Sequence, residues 1–212
     1  MEILLATFSA LFPVINPFGA TPVFLALTGA MDKATRNEQA LKACLYVVGI
    51  LVVFFFAGTF ILNFFGLRIE DLRIAGGILI TRSGLSLLNP DDAHKGSKRL
   101  SKEVQEEGLE KEDISFTPLA MPLLSGPGSI AVVIGMYNKA TGYHEVGFII
   151  AAIILVAIAS YLILRSSQQF TRFLGKSGMA ALSRMMGFIV LSIGVSFILN
   201  GVLSLVNMYL EK

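Results

Sequence analysis

The sequence predicts an all-α polytopic membrane protein with about six transmembrane segments, arranged as two inverted repeats of three segments, the first segment of each repeat broken at a Pro/Gly motif. Composition, the length of the apolar runs and a pair of matching motifs carry this expectation. Of 212 residues 54% are hydrophobic and only 15% charged, against roughly a quarter charged in an ordinary soluble domain. The charges also bunch between apolar runs instead of alternating with them. A run of some twenty apolar residues, at ~1.5 Å of rise each, is what a hydrocarbon core of ~30 Å requires.

The first apolar segment covers 3–27 and holds Pro13 and Pro17 near its middle. Met1-Glu2-Ile3-Leu4 lacks the basic n-region of a signal peptide, so this segment is expected to belong to the mature protein. The second, 43–65, carries no Asp, Glu, Lys, Arg or His. As the single cysteine, Cys44 excludes a disulfide framework and a cysteine metal cluster, and is expected to be a packed thiol. The third, 72–88, contains Arg82. A highly charged linker, 89–115, follows, with a short helix expected around 101–107. It divides the chain into a first repeat (1–88) and a second repeat (116–212). The fourth, fifth and sixth segments are 116–137, 146–164 and 185–206. Between the last two, the polar stretch 166–181 holds Phe170, Phe173 and Leu174 and is expected at the membrane interface. There is no Trp, so interfacial anchoring falls to Tyr46, Tyr137, Tyr143 and Tyr209 with Lys and Arg.

Lys and Arg distribution sets the expected orientation. If all six segments span, the first, third and fifth connections hold 12 basic residues and the opposite side four: Arg68, Arg73, Lys139 and Lys212. Basic connections stay in the cytoplasm, which puts both termini outside. If the first and fourth segments were re-entrant hairpins, the division would be 10 against 6. The six-span arrangement is preferred for its cleaner asymmetry. The formal charge of +2 is too small to suggest nucleic-acid binding.

The two halves match where apolar similarity is least able to explain it. Pro13-Val14-Ile15-Asn16-Pro17-Phe18-Gly19 aligns with Pro122-Leu123-Leu124-Ser125-Gly126-Pro127-Gly128, and Arg73-Ile74-Ala75-Gly76 with Arg184-Met185-Met186-Gly187. An odd number of spans per half makes such a repeat inverted, as in many secondary transporters. Interior proline removes a donor and clashes with the preceding turn, while Asn16-Pro17 has the chemistry of a fresh helix start, Asn as cap and Pro at the first position. Ser125-Gly126-Pro127 can do the same. Backbone freed in hydrocarbon must be buried in protein or line a cavity. Two helix starts aimed at one pocket would present unpaired N–H groups and positive dipole ends to a small anion or carboxylate.

On this reading Asn16, Thr21, Ser125 and Ser129 supply side-chain hydrogen bonds, and Pro17 sets the new helix. Gly19, Gly126 and Gly128 admit close backbone approach. Pro13, Pro122 and Pro127 are gating candidates, together with Thr81 and Arg82. Arg82 is the one formal charge well inside an apolar segment, a functional candidate by default. Its distance from the segment end, ~9 Å at ~1.5 Å per residue, also lets it snorkel, and snorkelling or structural pairing is ranked ahead of ligand contact. Arg73 and Arg184 are expected at helix starts. No Asp or Glu falls within an expected span, and His94 and His144 lie in connections. No carboxylate relay, metal site, phosphate loop or nucleophile–base pair is therefore expected, and the chain is not expected to be an enzyme. Coupling to Na⁺ or H⁺ and homo-oligomerisation are left open.

Through Ile15-Asn16-Pro17-Phe18-Gly19-Ala20-Thr21-Pro22 and Met121-Pro122-Leu123-Leu124-Ser125-Gly126-Pro127-Gly128-Ser129 the chain resembles the MarC family of integral membrane proteins along essentially its whole length. By position Asn16, Pro17, Gly19, Ser125, Gly126, Pro127 and Gly128 match the family motifs. The resemblance implies six spans, a bacterial or archaeal cytoplasmic membrane, and, by analogy with some relatives, transport of small neutral amino acids such as glycine and alanine. The expected partners are the lipid bilayer and a small-molecule substrate, with no cofactor. A non-transporting membrane partner or assembly factor and a drug exporter are the alternatives.

Overall fold

A computed structural model describes residues 1–88, 113–137, 139–140 and 142–210, with backbone alone at 176. The expected short helix at 101–107 lies outside these residues. The described residues form eight helical elements: α1 (Glu2–Ile15), α2 (Pro17–Leu27), α3 (Lys33–Phe64), α4 (Ile69–Leu88), α5 (Ser115–Leu124), α6 (Pro127–Tyr137), α7 (Tyr143–Arg165) and α8 (Ser167–Leu210).

Four stretches are long and apolar enough to cross a membrane: Glu2–Leu27, Lys33–Phe64, Tyr143–Arg165 and Ser177–Leu210. The pair α5–α6, bent by 68°, makes a fifth if counted as one span. On length and apolarity alone α4 does not qualify, because Asp71, Arg73 and Arg82 interrupt it. The structure is therefore all-helical among the described residues, with four or five candidate spans.

Several helix boundaries have a local cause. Asp32 starts α3 by accepting from Ala34 N at 3.1 Å and Thr35 N at 3.3 Å, an N-cap that satisfies two otherwise unpaired donors. In α5, Thr117 (φ −121°, ψ 122°) and Met121 (φ −131°, ψ 127°) are extended. Each precedes a proline, whose ring excludes the helical conformation of the residue before it. The segment winds wider than an α-helix, with Leu119 N donating to Ile114 O at 3.2 Å and Ser125 N to Ala120 O at 2.7 Å, each reaching five residues back. The stretch 166–181 is helical from Ser167 and turns at Gly175 (φ 63°), a left-handed conformation that glycine adopts without steric cost. Arg184, expected at a helix start, lies inside α8, because the helix resumes by Ser177.

The core is built by α1 and α3 packed on α7, and by α3 packed along α5 and α6. Leu11, Phe24, Leu51, Phe55, Leu119 and Ile149 are wholly buried there. Along α3, Gln39 Oε1 accepts from Ile114 N at 3.0 Å, while Gly58 abuts Ile134. The closest helix pair is α4 with α8, which run antiparallel. A Cβ on Gly77 would stand 2.8 Å from Gly194 O, and one on Gly84 2.9 Å from Gly187 O. One on Gly201 would stand 3.1 Å from Glu70 O. Such small-residue contacts let helix backbones approach where no aqueous hydrophobic effect drives them together.

Candidate functional site

The first break is a single residue long. Asn16 adopts φ 48°, ψ 63°, ending α1 and starting α2. Asparagine is among the few non-glycine residues that visit this region routinely. Its backbone N–H closes α1 onto Phe12 O at 3.0 Å, and its carbonyl accepts from Ala20 N at 3.1 Å. The side-chain oxygen caps α2 by accepting from Gly19 N at 3.1 Å. A Cβ on Gly19 would overlap that same amide group, so the cap and the glycine require each other. Pro17 occupies the first position of α2, as expected.

The second break differs. Ser125 closes the wide turn of α5, and α6 starts at Pro127 some 68° away. Here the capping acceptor is a carbonyl: Gly126 O receives Ser129 N at 3.1 Å, Ile130 N at 3.3 Å and Ser129 Oγ at 2.8 Å. Ser125 is 1% exposed and its Oγ has no hydrogen-bond partner among the described residues. The positions aligned in sequence, Asn16 and Ser125, therefore do different things.

Both breaks open onto one cleft of about 780 Å³. Asn16, Gly19, Gly126, Gly128 and Ser129 line it, as do Pro13, Pro122 and Pro127. Four expected site residues do not. Pro17 is buried, Thr21 Oγ1 is spent on Pro17 O at 3.0 Å, and Ser125 is enclosed behind the break. Thr81 Oγ1 is buried without a hydrogen-bond partner among the described residues, where α4 meets Gly194 of α8. Gly128 holds the three walls together, since a Cβ there would stand 2.8 Å from Ile80 Cγ1 and 3.2 Å from Val14 Cγ1. Ile80 lies about halfway along α4, ~17 Å from its start at ~1.5 Å per residue.

Arg82 is the one charged residue lining the cleft, with Ser83 and Ser86 beside it. Snorkelling or structural pairing was the expectation ranked first for it. The residue is exposed and lines the cleft, and among the described residues the ion pairs are Lys42–Glu38 and Lys42–Asp113, so no ion pair holds it there. The rotation of α4 decides this, and the glycine contacts with α8 set that rotation; no local signal in 80–84 reveals it. Ser83 and Ser86 were missed for the same reason. The cleft thus offers a guanidinium, an asparagine amide and the first turns of two helices over an apolar floor. This combination suits a small group carrying negative charge. Among the described residues no group of three or more His, Cys, Asp or Glu could hold a metal ion.

The sequence profile described as MarC family integral membrane protein matches residues 1–206. The inner membrane protein MarC of Citrobacter koseri is 40% identical over 208 residues, covering 94% of this chain and 93% of the relative. Its namesakes in Salmonella paratyphi A and Escherichia coli are 39% and 38% identical with the same coverage. No solved structure matches. With four or five membrane-crossing helices and relatives of this name at this identity, the chain belongs to the MarC family of integral membrane proteins and is a multi-pass protein of the inner membrane.

Proposed function

We propose that the chain is a secondary transporter of small neutral amino acids, of the glycine and alanine kind, and not an enzyme. The observation that carries the reading is the convergence of both interrupted segments on one cleft entered by Arg82. The substrate carboxylate would pair with the Arg82 guanidinium and the Gly128 N–H, the first-turn donor of α6 not spent on the cap, and its ammonium with backbone carbonyls and the Asn16 side chain. The cleft volume, about 780 Å³, falls in the ~300–1,000 Å³ range of small-molecule sites.

The proposal includes six spans in two inverted halves. Contacts along α3 favour a crossing α5–α6 over a hairpin. Gln39 meets Ile114 and Gly58 meets Ile134, points ~28 Å apart along α3 at ~1.5 Å per residue. A re-entrant pair would have brought α6 back toward Gln39. Likewise α4 accompanies α8 from Glu70 beside Gly201 to Leu87 beside Gly187, ~25 Å of helix on the same scale. Basic connections would face the cytoplasm and both termini the outside.

Uptake of labelled glycine and alanine by proteoliposomes tests the reading. Saturable uptake is expected for the wild type, with Arg82→Gln and Asn16→Ala lowering uptake at limiting substrate at least tenfold. Folded wild-type protein that moves neither amino acid under any imposed Na⁺ or H⁺ gradient would sink it.

A further inference from the structure

A second pocket, about 230 Å³ and separate from the cleft, lies where the start of α4, the end of α6 and the last third of α8 meet. Arg73 of α4, Lys139 just after α6, and Asn200 and Ser204 of α8 line it. Neither cation has a carboxylate partner among the described residues. Their ion pairs are Lys42–Glu38 and Lys42–Asp113, and Asp71, two residues from Arg73, instead accepts from Arg68 N at 3.0 Å. A cation after a helix C-terminus, as Lys139 is, has an ordinary role there. A second cation delivered beside it by another helix does not. Like charges sharing so small a space repel, and an anion between them relieves the repulsion.

Two further facts narrow the ligand. Arg73 and Lys139 are two of only four basic residues, with Arg68 and Lys212, outside the basic connections and Arg82. Half of a sparse set thus converges on one pocket. The polar groups beside them also donate: the Asn200 amide makes only a long 3.4 Å bond to Ser196 Oγ, and Ser204 brings a hydroxyl. One carboxylate, with a single charge and two oxygens, underuses two cations and two neutral donors. A phosphate group matches them in charge and in number of acceptor oxygens.

We infer that Arg73, Lys139, Asn200 and Ser204 form a binding site for a phosphate-bearing anion, distinct from the cleft at Asn16 and Arg82. The phosphate is either free or that of an anionic lipid headgroup, and the pocket's position at helix ends is accessible to both. The test uses the full chain in detergent. Native mass spectrometry compares retention of phosphatidylglycerol with that of phosphatidylcholine, and thermal shift titrates inorganic phosphate. The wild type is expected to retain phosphatidylglycerol preferentially, to be stabilised by phosphate, or both. Retention of the lipid without a phosphate response assigns the headgroup, and the converse assigns the free ion. Arg73→Gln/Lys139→Gln should weaken binding at least tenfold, Arg73→Lys/Lys139→Arg should keep it, and Arg82→Gln should leave it unchanged. If the double variant is unstable, Lys139→Gln alone, at an exposed position, should still weaken binding about threefold. Equal retention of both lipids with no phosphate response overturns the inference. So does undiminished binding in folded Lys139→Gln and Arg73→Gln/Lys139→Gln.

Discussion

Gly128 rests against Ile80 with no room for a methyl group between them: a Cβ on the glycine would stand 2.8 Å from Ile80 Cγ1. That contact joins the second break to the midpoint of α4, and Val14 at 3.2 Å joins it to the first. Gly128→Ala should therefore push the walls of the cleft apart. Overpacking of this kind costs about 1–3 kcal/mol, read as a lower melting temperature in detergent. Gly49→Ala is the control, since nothing lies within 4 Å of its Cβ position. It should be neutral or stabilising by up to about 1 kcal/mol.

Gly194→Ala should be worse than Gly128→Ala. The neighbours of Gly128 are side-chain atoms, of Ile80 and Val14. Those of Gly194 include the backbone of another helix, Thr81 N at 2.5 Å and Gly77 O at 2.9 Å, so a Cβ there must separate α4 from α8. A loss at or above about 3 kcal/mol is expected, the upper end of overpacking costs. Equal melting temperatures for the two variants would contradict this ranking.

Asn16 combines two roles that substitutions can separate. Asn16→Ala loses the cap, about 1 kcal/mol, and replaces a residue that tolerates φ 48° through local hydrogen bonding with one that does not, up to about 1–2 kcal/mol more. Asn16→Gly keeps the backbone conformation, and a glycine cap costs only a few tenths of a kcal/mol. Asn16→Asp keeps the acceptor for Gly19 N. Thermal denaturation should rank alanine as the most damaging of the three. An alanine variant as stable as the glycine variant would show that the left-handed turn is unstrained.

The Asn16 break was legible because all its causes are local: a capping amide, a proline at the first helical position and a glycine three residues on. The second break was legible only as a break. Its wide winding depends on two prolines, Pro118 and Pro122, each forcing the residue before it to be extended, and the resulting rotation carries Ser125 out of the cleft. Arg82 was legible as a charge in an apolar run, but its direction depends on packing between segments about a hundred residues apart. The third segments of the two halves match at Gly76 and Gly187, but a Cβ on Gly76 would meet Ala131 of α6, while Gly187 faces Gly84. Which glycines of α4 and α8 face each other is a tertiary fact with no counterpart in either segment alone.

Outside the membrane, Asp113 ties the start of α5 to α3. Hydrogen bonds from the Ser115 side chain and backbone, followed by Lys42 3.5 Å away, hold its carboxyl below the usual value of 3.8. A carboxylate whose folded pKa is depressed stabilises the fold above the unfolded value and loses that contribution as pH falls through the folded one. The melting-temperature difference between wild type and Asp113→Asn should thus be constant from about pH 8 to about pH 5. It should shrink below about pH 3.8. A difference that already changes near neutrality would assign the effect to another group.

The glycines between α4 and α8 recur at 77 and 84, and at 187, 194 and 201, always seven residues apart. Seven residues of a straight α-helix fall ~20° short of two full turns, so a seven-residue stripe drifts off a straight line of contact. All five glycines nevertheless stay on the contact line. A seven-residue repeat is the spacing by which paired helices coil about each other with a left-handed sense. A coiled pair transmits rotation as well as translation. Turning one end of α8 carries α4 with it, and so turns the face that bears Ile80 and Arg82.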